Sequence, residues 1–254
     1  MPFDLAEYRA GPWEQARVRD LMAIMPQGRH SVLDIGARDG YISRLLASRF
    51  RRVTALDLEK PALTLENVET VKGDVTKLDF PDNSFDVIVC TEVLEHIPRE
   101  LLGQACREII RVARHEAVIG VPYKQDLRAG RTTCRACGRK NPPWGHVNSF
   151  DERSLVELFY PLQLAGFSIL GPPARVTNFV STFLMDLAGN PWGTYNQHEP
   201  CIYCGAPLAL PARRSPAQRL CSAAAVLLAK FQNALRRSSP TWIHMVFQKD
   251  GAGS

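Results

Sequence analysis

The chain has 254 residues, is 45% hydrophobic and 22% charged, and carries a formal net charge of +5 at pH 7. This length and composition predict a soluble globular protein with a full hydrophobic core, in one large or two small domains. The first residues include Asp4, Glu7 and Arg9 and no apolar run. We therefore expect neither a signal peptide nor a transmembrane helix, and a cytoplasmic location. The modest charge permits an acidic partner without requiring nucleic acid.

Hydrophobic periodicity predicts helices and strands that alternate along most of the chain. Residues 1–29 form a predicted helical segment, with an amphipathic helix that starts at Pro12 and ends near residue 25. Strands are expected near 31–36, 52–57, 68–73, 85–90, 116–121, 166–170 and 242–247. Helices are expected near 40–50, 61–66, 99–113, 151–165 (behind a Ser149 to Glu152 cap) and 216–237. This alternation predicts an α/β fold with a mostly parallel sheet and helices on both faces.

The most informative stretch runs from Val32 to Gly40, where an apolar strand leads into a turn punctuated by glycines. About twenty residues later, Val53 to Asp57 form a second apolar strand that ends in a carboxylate. A strand, a tight turn, a helix and a strand ending in an acid make half of a nucleotide-binding βαβ unit. The sequence therefore predicts a nucleoside-like cofactor.

The spacing of Asp34, Gly36 and Gly40 differs from the G-x-G-x-x-G of dinucleotide enzymes. This D-x-G-x-x-x-G pattern resembles motif I of the class I S-adenosylmethionine-dependent methyltransferases. The resemblance continues through Asp57, through Gly73 to Val75, and through Phe85 to Pro98, which is similar to the family's small-molecule branch. It covers roughly residues 30 to 170 and the last strand, and it implies a Rossmann-like sheet of seven strands with a closing antiparallel strand.

The resemblance implies S-adenosylmethionine as cofactor. In the family, the position of Asp34 lies near the methionine end, that of Asp57 holds the ribose hydroxyls, and that of Asp74 lies near the adenine amine. The expected cofactor-binding residues are Asp34, Gly36, Gly40, Asp57, Leu58, Asp74, Val75 and Glu92. Arg38 stands where the family usually has glycine, and we expect its side chain to point to solvent. The alternative is a degenerate domain that no longer binds the cofactor.

Methyl transfer is an in-line displacement, so it needs positioning above all, and a base only when the acceptor must lose a proton. His96 is the first candidate for that base because it follows the fourth strand, at the sheet edge where ligands bind. Glu92 and Glu95 are candidate helpers. His146 is a further catalytic candidate, since residues 145–150 resemble a segment that flanks the acceptor pocket in related enzymes. The alternatives are a helix cap for His96 and a structural hydrogen bond for His146.

Four of the seven cysteines form two C-x-x-C pairs, each followed by glycine. This pattern is typical of zinc knuckles, and it indicates metal binding more than disulfides. The predicted ligands of one Zn²⁺ are Cys134, Cys137, Cys201 and Cys204. Four thiolates complete the tetrahedron, so the predicted ion is structural. Cys90, Cys106 and Cys221 lie in apolar patterns and are expected to be core thiols.

The two pairs are separated by 63 residues, which exceeds the spacing of a usual zinc ribbon. In the family's sheet, however, the fifth and sixth strands end at the same edge, so the insertions at 123–148 and 176–239 are expected to meet. The methyltransferase domain would then comprise 30–175 and 240–250. The alternatives are two unrelated thiol pairs, or a site in which His146 or His198 replaces one cysteine.

Residues 213–237 combine basic and apolar side chains in a helical pattern. Such a helix could lie on an anionic membrane and present a lipid-linked acceptor. More often such a stretch is a surface helix that packs its apolar side on the core, and this is the expectation here.

The sequence thus predicts a zinc-containing, S-adenosylmethionine-dependent methyltransferase. Its expected acceptor is a small molecule, a sugar or a lipid-linked compound, and oxygen is the expected methylated atom. One alternative is an RNA methyltransferase, although the clustered basic stripe with aromatic residues that nucleic acid would need is absent. The other is a catalytically silent cofactor-binding scaffold whose zinc module binds a protein.

Overall fold

The computed structural model describes residues 5–197, 199–211, 213–236 and 239–249. The chain divides into two compact units. The sheet unit comprises Ala16–Tyr123, Phe150–Leu170 and Trp242–Ser254. The cysteine unit comprises Met1–Gln15, Lys124–Ser149 and Gly171–Thr241. His198, the substitute zinc ligand considered above, lies outside the described residues.

The sheet unit contains a seven-stranded sheet with the order β3-β2-β1-β4-β5-β9-β8. Its strands are β1 (Ser31–Ile35), β2 (Arg52–Asp57), β3 (Val68–Lys72), β4 (Phe85–Thr91), β5 (Ala113–Pro122), β8 (Gln163–Leu170) and β9 (Trp242–Gln248). Strands β1 to β5 pair in parallel, whereas β9 runs antiparallel to both of its neighbours, β5 and β8. The predicted α/β fold with a mostly parallel, Rossmann-like sheet is confirmed.

Helices cover both faces of this sheet, because successive strand residues point to opposite sides. The helices are α2 (Pro12–Ala23), α3 (Tyr41–Ala47), α4 (Arg99–Val112) and α5 (Glu152–Phe159). Val87 and Val89 of β4 pack in one buried cluster with Leu21 and Leu46. Ile88 and Cys90 of the same strand pack in the other cluster, which includes Ile109 of α4 and Phe159 of α5. Strand β4 therefore contributes alternate side chains to both hydrophobic clusters.

Cys90 and Cys106 are completely buried in the core, as predicted. Cys221 is different because it lies in a helix of the cysteine unit and is only partly buried. The prediction of a core thiol is therefore wrong for Cys221.

Two predicted helices differ from the structure. Residues 61–66 form no helix, since a single short turn gains too few hydrogen bonds to offset its nucleation, and Leu63 instead packs against Gly40. The helix predicted at 151–165 ends at Phe159, because Pro161 cannot continue it and restricts the residue before it. Its cap is also not the predicted Ser149 and Glu152 pair. The Asp151 side chain accepts from the Ser154 amide, and the Ser154 hydroxyl accepts from the Asp151 amide.

The cysteine unit contains short elements around a two-stranded ribbon. They are α1 (Leu5–Ala10), β6 (Thr132–Thr133), β7 (Lys140–Asn141), α6 (Phe179–Leu187) and α7 (Pro216–Leu235). The pattern did not predict α6, which the Asn178 side chain caps by accepting from the Ser181 amide. Helix α7 was predicted to extend to residue 237, which lies outside the described residues, and it ends at Leu235. Within the part of the chain that the structure describes, no helix is long and apolar enough to span a membrane.

Candidate functional site

The turn after β1 is tied to the end of β2. The amides of Gly36 and Ala37 donate to the Leu56 carbonyl, at 2.8 and 3.1 Å. Gly36 has a φ of 81°, and a Cβ there would lie 2.3 Å from Cγ2 of Val93. Only glycine therefore fits at this position, and its backbone is left exposed at the sheet edge. Gly40 begins α3 with a φ of 79°.

Arg38 has a φ of 51°, which is the left-handed region that favours glycine. Glycine adopts this conformation without steric cost, which agrees with the glycine usual at this position in the family that the sequence resembles. The Arg38 side chain is exposed, as expected, and its amide donates to Oδ2 of Asp57 at 2.7 Å. Asp57 is half-buried at the end of β2, and Leu58 beside it is exposed. The Asp57 carboxylate thus holds the turn in place.

Asp34 is a buried carboxyl group near the end of β1, and the Ser43 hydroxyl of α3 donates to its Oδ2. Burial raises the pKa of Asp34 to about 6, because desolvation disfavours the ionised form. The nearby charge of Asp57 raises this pKa further, whereas the hydrogen bond from Ser43 lowers it. A buried, perturbed carboxyl group at the ligand-binding edge of a sheet is typical of a functional site.

Asp74 follows β3 and is exposed, while Val75 after it is buried. Oδ1 of Asp74 accepts from both the amide and the hydroxyl of Thr76, each at 2.8 Å. The amide of Gly73, just before, donates to the Asp57 carbonyl at 2.8 Å. The loops after β2 and β3 are therefore fixed to each other through the backbone.

A group of acidic side chains follows β4. Glu92 has a φ of 57°, and its Oε1 lies 3.8 Å from Nη1 of Arg17 in α2. Glu95 is completely buried, and this burial raises its pKa well above the usual range, with a further contribution from the charge of Glu92. No other described residue donates a hydrogen bond to the Glu95 carboxyl oxygens. Glu95 and His96 lie in a short 3₁₀ turn, Leu94–His96, and the His96 side chain is exposed.

A buried histidine of the sheet unit was missed by sequence reasoning. His244 lies in β9 and is completely buried, with its Nδ1 2.6 Å from Oδ2 of Asp20 in α2. The Ser168 hydroxyl of β8 donates to the same oxygen. The hydrogen bond from His244 keeps the pKa of Asp20 below its usual value. His244 Nε2 has no hydrogen-bond partner among the described residues.

Glycine makes room for this imidazole. Gly120 of β5 pairs with His244, and a Cβ on Gly120 would lie 2.8 Å from Cδ2 of His244 and from Cγ2 of Thr91. Asp20 and His244 are 224 positions apart in the chain, and no local spacing connects them. The only sequence signal is a polar residue at a buried position of an apolar strand.

The parallel strands thus bring Asp34, Asp57, Asp74 and Glu92 to one edge of the sheet, since each residue lies at or just after a carboxyl end. Open α/β sheets bind their ligands at this edge. His146 belongs to the cysteine unit, where it is buried with Nδ1 2.7 Å from Oε1 of Gln125. Its predicted contact with an acceptor stays a prediction.

The four predicted zinc ligands lie together in the cysteine unit. All four sulfur atoms are within 4.8 Å of one another. Cys134 Sγ lies 3.7 Å from Cys204 Sγ, and Cys137 Sγ lies 3.6 Å from Cys201 Sγ. Tetrahedral zinc with Zn–S bonds of about 2.3 Å requires sulfur atoms about 3.8 Å apart. The distances therefore fit one tetrahedral ion, and they are far too long for disulfides.

The two knuckles have the same backbone geometry. Gly138 and Gly205, with φ of 72° and 69°, each donate their amide to the carbonyl of the first cysteine of the pair, at 2.9 Å. The amides of Cys134 and Cys201 donate in turn to the carbonyls of Arg139 and Ala206, also at 2.9 Å. In each knuckle this turn places both sulfur atoms on one side of the backbone, where the four sulfur atoms meet.

Contacts outside the cysteines hold the two knuckles together. The buried Asn141 accepts at Oδ1 from the Ile202 amide at 2.9 Å. Asn190 donates to the Thr133 hydroxyl at 3.0 Å, and the Tyr195 hydroxyl accepts from the Thr133 amide at 2.9 Å. These hydrogen bonds join residues far apart in sequence and would preorganise the four thiols.

Residues 33–120 match the model of a protein family described as a methyltransferase domain. The chain is 30% identical over 95 residues to an uncharacterized methyltransferase of Mycobacterium bovis, covering 34% of this chain and 48% of that protein. It is also 30% identical over 93 residues to the ubiquinone biosynthesis O-methyltransferase of Paraburkholderia xenovorans, covering 32% of this chain and 40% of that enzyme. The chain thus spans less than half the length of these curated relatives.

The fold is similar to that of the N-methyltransferase NodS from Bradyrhizobium japonicum, solved in complex with S-adenosyl-L-homocysteine. The TM-score is 0.53 at 13% identity, and the match covers 94% of this chain and 89% of that chain. At this identity the likeness concerns the fold.

Proposed function

We propose that this chain is a class I S-adenosylmethionine-dependent methyltransferase and that it transfers the methyl group to an oxygen atom of a small-molecule, sugar or lipid-linked acceptor. The observation that carries the proposal is the set of carboxylates at the carboxyl edge of β1 to β4, beside a turn in which only glycine fits at the position of Gly36. Asp57 would hold the ribose hydroxyls, Asp34 would lie towards the methionine end, and Asp74 towards the adenine amine. The bound cofactor supplies an electrophilic methyl group on its sulfonium sulfur.

An acceptor hydroxyl must lose its proton during methyl transfer, so the proposal includes a base. His96 fits this role better than His244, because its imidazole is exposed after β4 whereas that of His244 is completely buried. Glu92 and Glu95 precede His96 in the loop after β4 and remain candidate helpers of this base. Acceptor oxygen is further supported by the O-methyltransferase among the relatives.

A structural Zn²⁺ is part of the proposal. The ligand set is Cys134, Cys137, Cys201 and Cys204, and the distances between the sulfur atoms support it. Four thiolates leave no open position for water or substrate, so the ion would act by tying the Lys124–Ser149 segment to the Gly171–Thr241 segment. The cytoplasmic location expected from the sequence belongs to the same proposal.

An acceptor panel tests this function. Purified full-length protein is incubated with methyl-labelled S-adenosylmethionine and with phenols, sugars and lipid-linked sugars, each beside an analogue in which an amine replaces the hydroxyl. Transfer to the hydroxyl compounds and not to the matched amines supports O-methylation. Transfer to RNA, with binding that weakens steeply as salt rises, would favour the RNA methyltransferase instead. Binding of S-adenosylhomocysteine without turnover on any member of the panel would favour the silent scaffold.

A further inference from the structure

Helices α6 and α7 of the cysteine unit pack against each other in antiparallel directions. Nδ2 of Asn178, at the start of α6, donates to Oε1 of Gln232 near the end of α7 at 2.6 Å. Asn233 exchanges two hydrogen bonds with the backbone of Val176, at 2.8 and 3.2 Å. Polar contacts therefore fix the register of the two helices, and these contacts do not bury the large apolar side chains.

Most large apolar side chains of the two helices point to solvent. We call these residues the apolar face, and each is more than half exposed: Phe179, Val180, Phe183 and Leu187 of α6, with Leu220, Leu227, Phe231 and Leu235 of α7. The α7 members are spaced by seven, four and four residues, so they form one stripe along the helix. An exposed apolar stripe of this kind is typical of an interaction site.

The opposite side of α7 explains this orientation. Ser222 and Ala225 are its buried residues, and Ala229 and Asn233 are partly buried. Small side chains let α6 and α7 approach closely, whereas the larger Leu and Phe side chains lie outside. The expectation that this helix packs its apolar side on the core is therefore wrong for Leu220, Leu227 and Phe231.

The exposed charges of α7 and its flanks have one sign, whereas the acidic Asp186 of α6 is largely buried in ion pairs with Arg131 and Lys140. Helix α7 contains Arg219 and Lys230, which are both exposed, and its sequence has no acidic residue. Arg213 and Arg214 precede the helix, and Arg236 follows it. The Arg214 guanidinium also lies 6.0 Å from the ring centre of the exposed Trp192. Basic and aromatic side chains beside an apolar stripe are the composition of helices that lie in the interface of an anionic membrane.

We propose that the apolar face rests on the surface of an anionic lipid bilayer, with Phe and Leu side chains among the acyl chains and the arginines and lysine at the phosphate headgroups. A second copy of the chain fits less well. Pairing two copies through the same face by a twofold axis would bring their basic residues together and place like charges side by side. The proposal does not rest on the methyl transfer proposed above.

Vesicle co-sedimentation tests the proposal without cofactor or acceptor. The full-length protein is mixed with vesicles of phosphatidylcholine alone, or of phosphatidylcholine with phosphatidylglycerol. We expect binding to the anionic vesicles that weakens as salt rises. The double variant Phe183→Ser, Phe231→Ser should bind at least about tenfold more weakly, because two aromatic side chains no longer enter the lipid. The double variant Arg219→Glu, Lys230→Glu should lose the preference for anionic vesicles.

Matched changes elsewhere serve as controls. Tyr160→Ser removes an aromatic side chain that is 80% exposed in the sheet unit, and Arg153→Glu reverses an exposed charge there. Both variants should bind vesicles like the parent, and thermal unfolding establishes that every variant folds. A parent that ignores anionic vesicles, or a Phe183→Ser, Phe231→Ser variant that binds them as tightly, would overturn the proposal. So would a dimer in the ultracentrifuge that the same variant dissociates, since the face would then belong to a second copy.

Discussion

The amide nitrogen of Arg38 and Oδ2 of Asp57 lie 2.7 Å apart, so the carboxylate that ends β2 already accepts a hydrogen bond from the turn after β1. The residue expected to hold the cofactor's ribose also fixes the loop on which that cofactor would rest. Substitutions at Asp57 therefore act in two ways, and an experiment must separate them.

Asp57→Ala should weaken the binding of S-adenosylhomocysteine by on the order of 1 to 3 kcal/mol, because it removes the acceptor for the ribose hydroxyls and for the Arg38 amide. Asp57→Asn keeps an oxygen that can accept from Arg38, so it should preserve the turn and lose less affinity. Calorimetry measures both. Glu59→Ala, which removes a highly exposed carboxylate two residues further on, is the control. Unchanged affinity in Asp57→Ala would refute the role of Asp57.

Asp34→Asn should change the dependence of stability on pH. The folded-state pKa of about 6 exceeds the ordinary 3.8, so the unfolded chain loses this proton first as pH rises. The free energy of unfolding of the parent should therefore fall between about pH 4 and pH 6 and stay constant above, as far as this group is concerned. The asparagine variant keeps an acceptor for Ser43 and lacks this fall, and should be more stable at pH 7.5 by on the order of 2 to 3 kcal/mol.

Urea unfolding at pH 4 and pH 7.5 measures this difference. At pH 4 the two proteins should have similar stability, since Asp34 is then protonated in the folded parent. The same variant should bind S-adenosylhomocysteine more weakly if the carboxylate faces the methionine end. Parallel pH profiles for parent and variant would show that the Asp34 carboxyl group is not perturbed by burial.

His96→Ala should lower turnover on the order of a hundredfold or more and leave the affinity for S-adenosylhomocysteine nearly unchanged, because a base acts on the acceptor and not on the cofactor. His244→Asn is the comparison, since it removes the buried imidazole of β9. If His244→Asn lowers turnover while retaining the parent's melting temperature and His96→Ala does not, the base has been assigned to the wrong histidine.

The purified protein should contain about one zinc ion per chain after expression in zinc-replete medium. The double variant Cys201→Ser, Cys204→Ser should lose the metal and part of its stability, because zinc binding contributes directly to folding. Cys221→Ser removes a thiol outside the cluster and should keep the metal. Elemental analysis decides the point: a parent with far less than one zinc, or a double variant with full zinc content, would rule out the four-cysteine site.

The sheet could be predicted from the sequence because each strand is a local apolar run followed by a turn. Val32 to Gly40 and Phe85 to Pro98 carry both the strand and the residues that follow it. The predicted bounds of β1, β2 and β3 differ from the structure by no more than a residue. The closing antiparallel strand was predicted from the family resemblance, because the order of helices and strands does not by itself require it.

The remaining features depend on contacts that no local pattern contains. Asp20 and His244 meet only because β9 inserts beside β5 and packs near α2, and no spacing in the sequence connects the two residues. The outward orientation of Phe231 also depends on tertiary contacts, namely those between α6 and α7. An amphipathic pattern shows that a helix has an apolar side, but the small residues Ser222 and Ala225 decide which side faces α6.

The position of β9 has a consequence for how this chain is made. Among the described residues β9 is the last strand in sequence order, yet it lies between β5 and β8, and β8 occupies the sheet's edge with β9 as its neighbour. During synthesis, β1 to β5 can pair as soon as they leave the ribosome, whereas β8 must wait for about seventy further residues. A ribosome that stalls before Thr241 would release a chain in which β8 has no partner strand and β5 has an exposed edge. Such products are open to strand-to-strand aggregation, so quality control should act on them first.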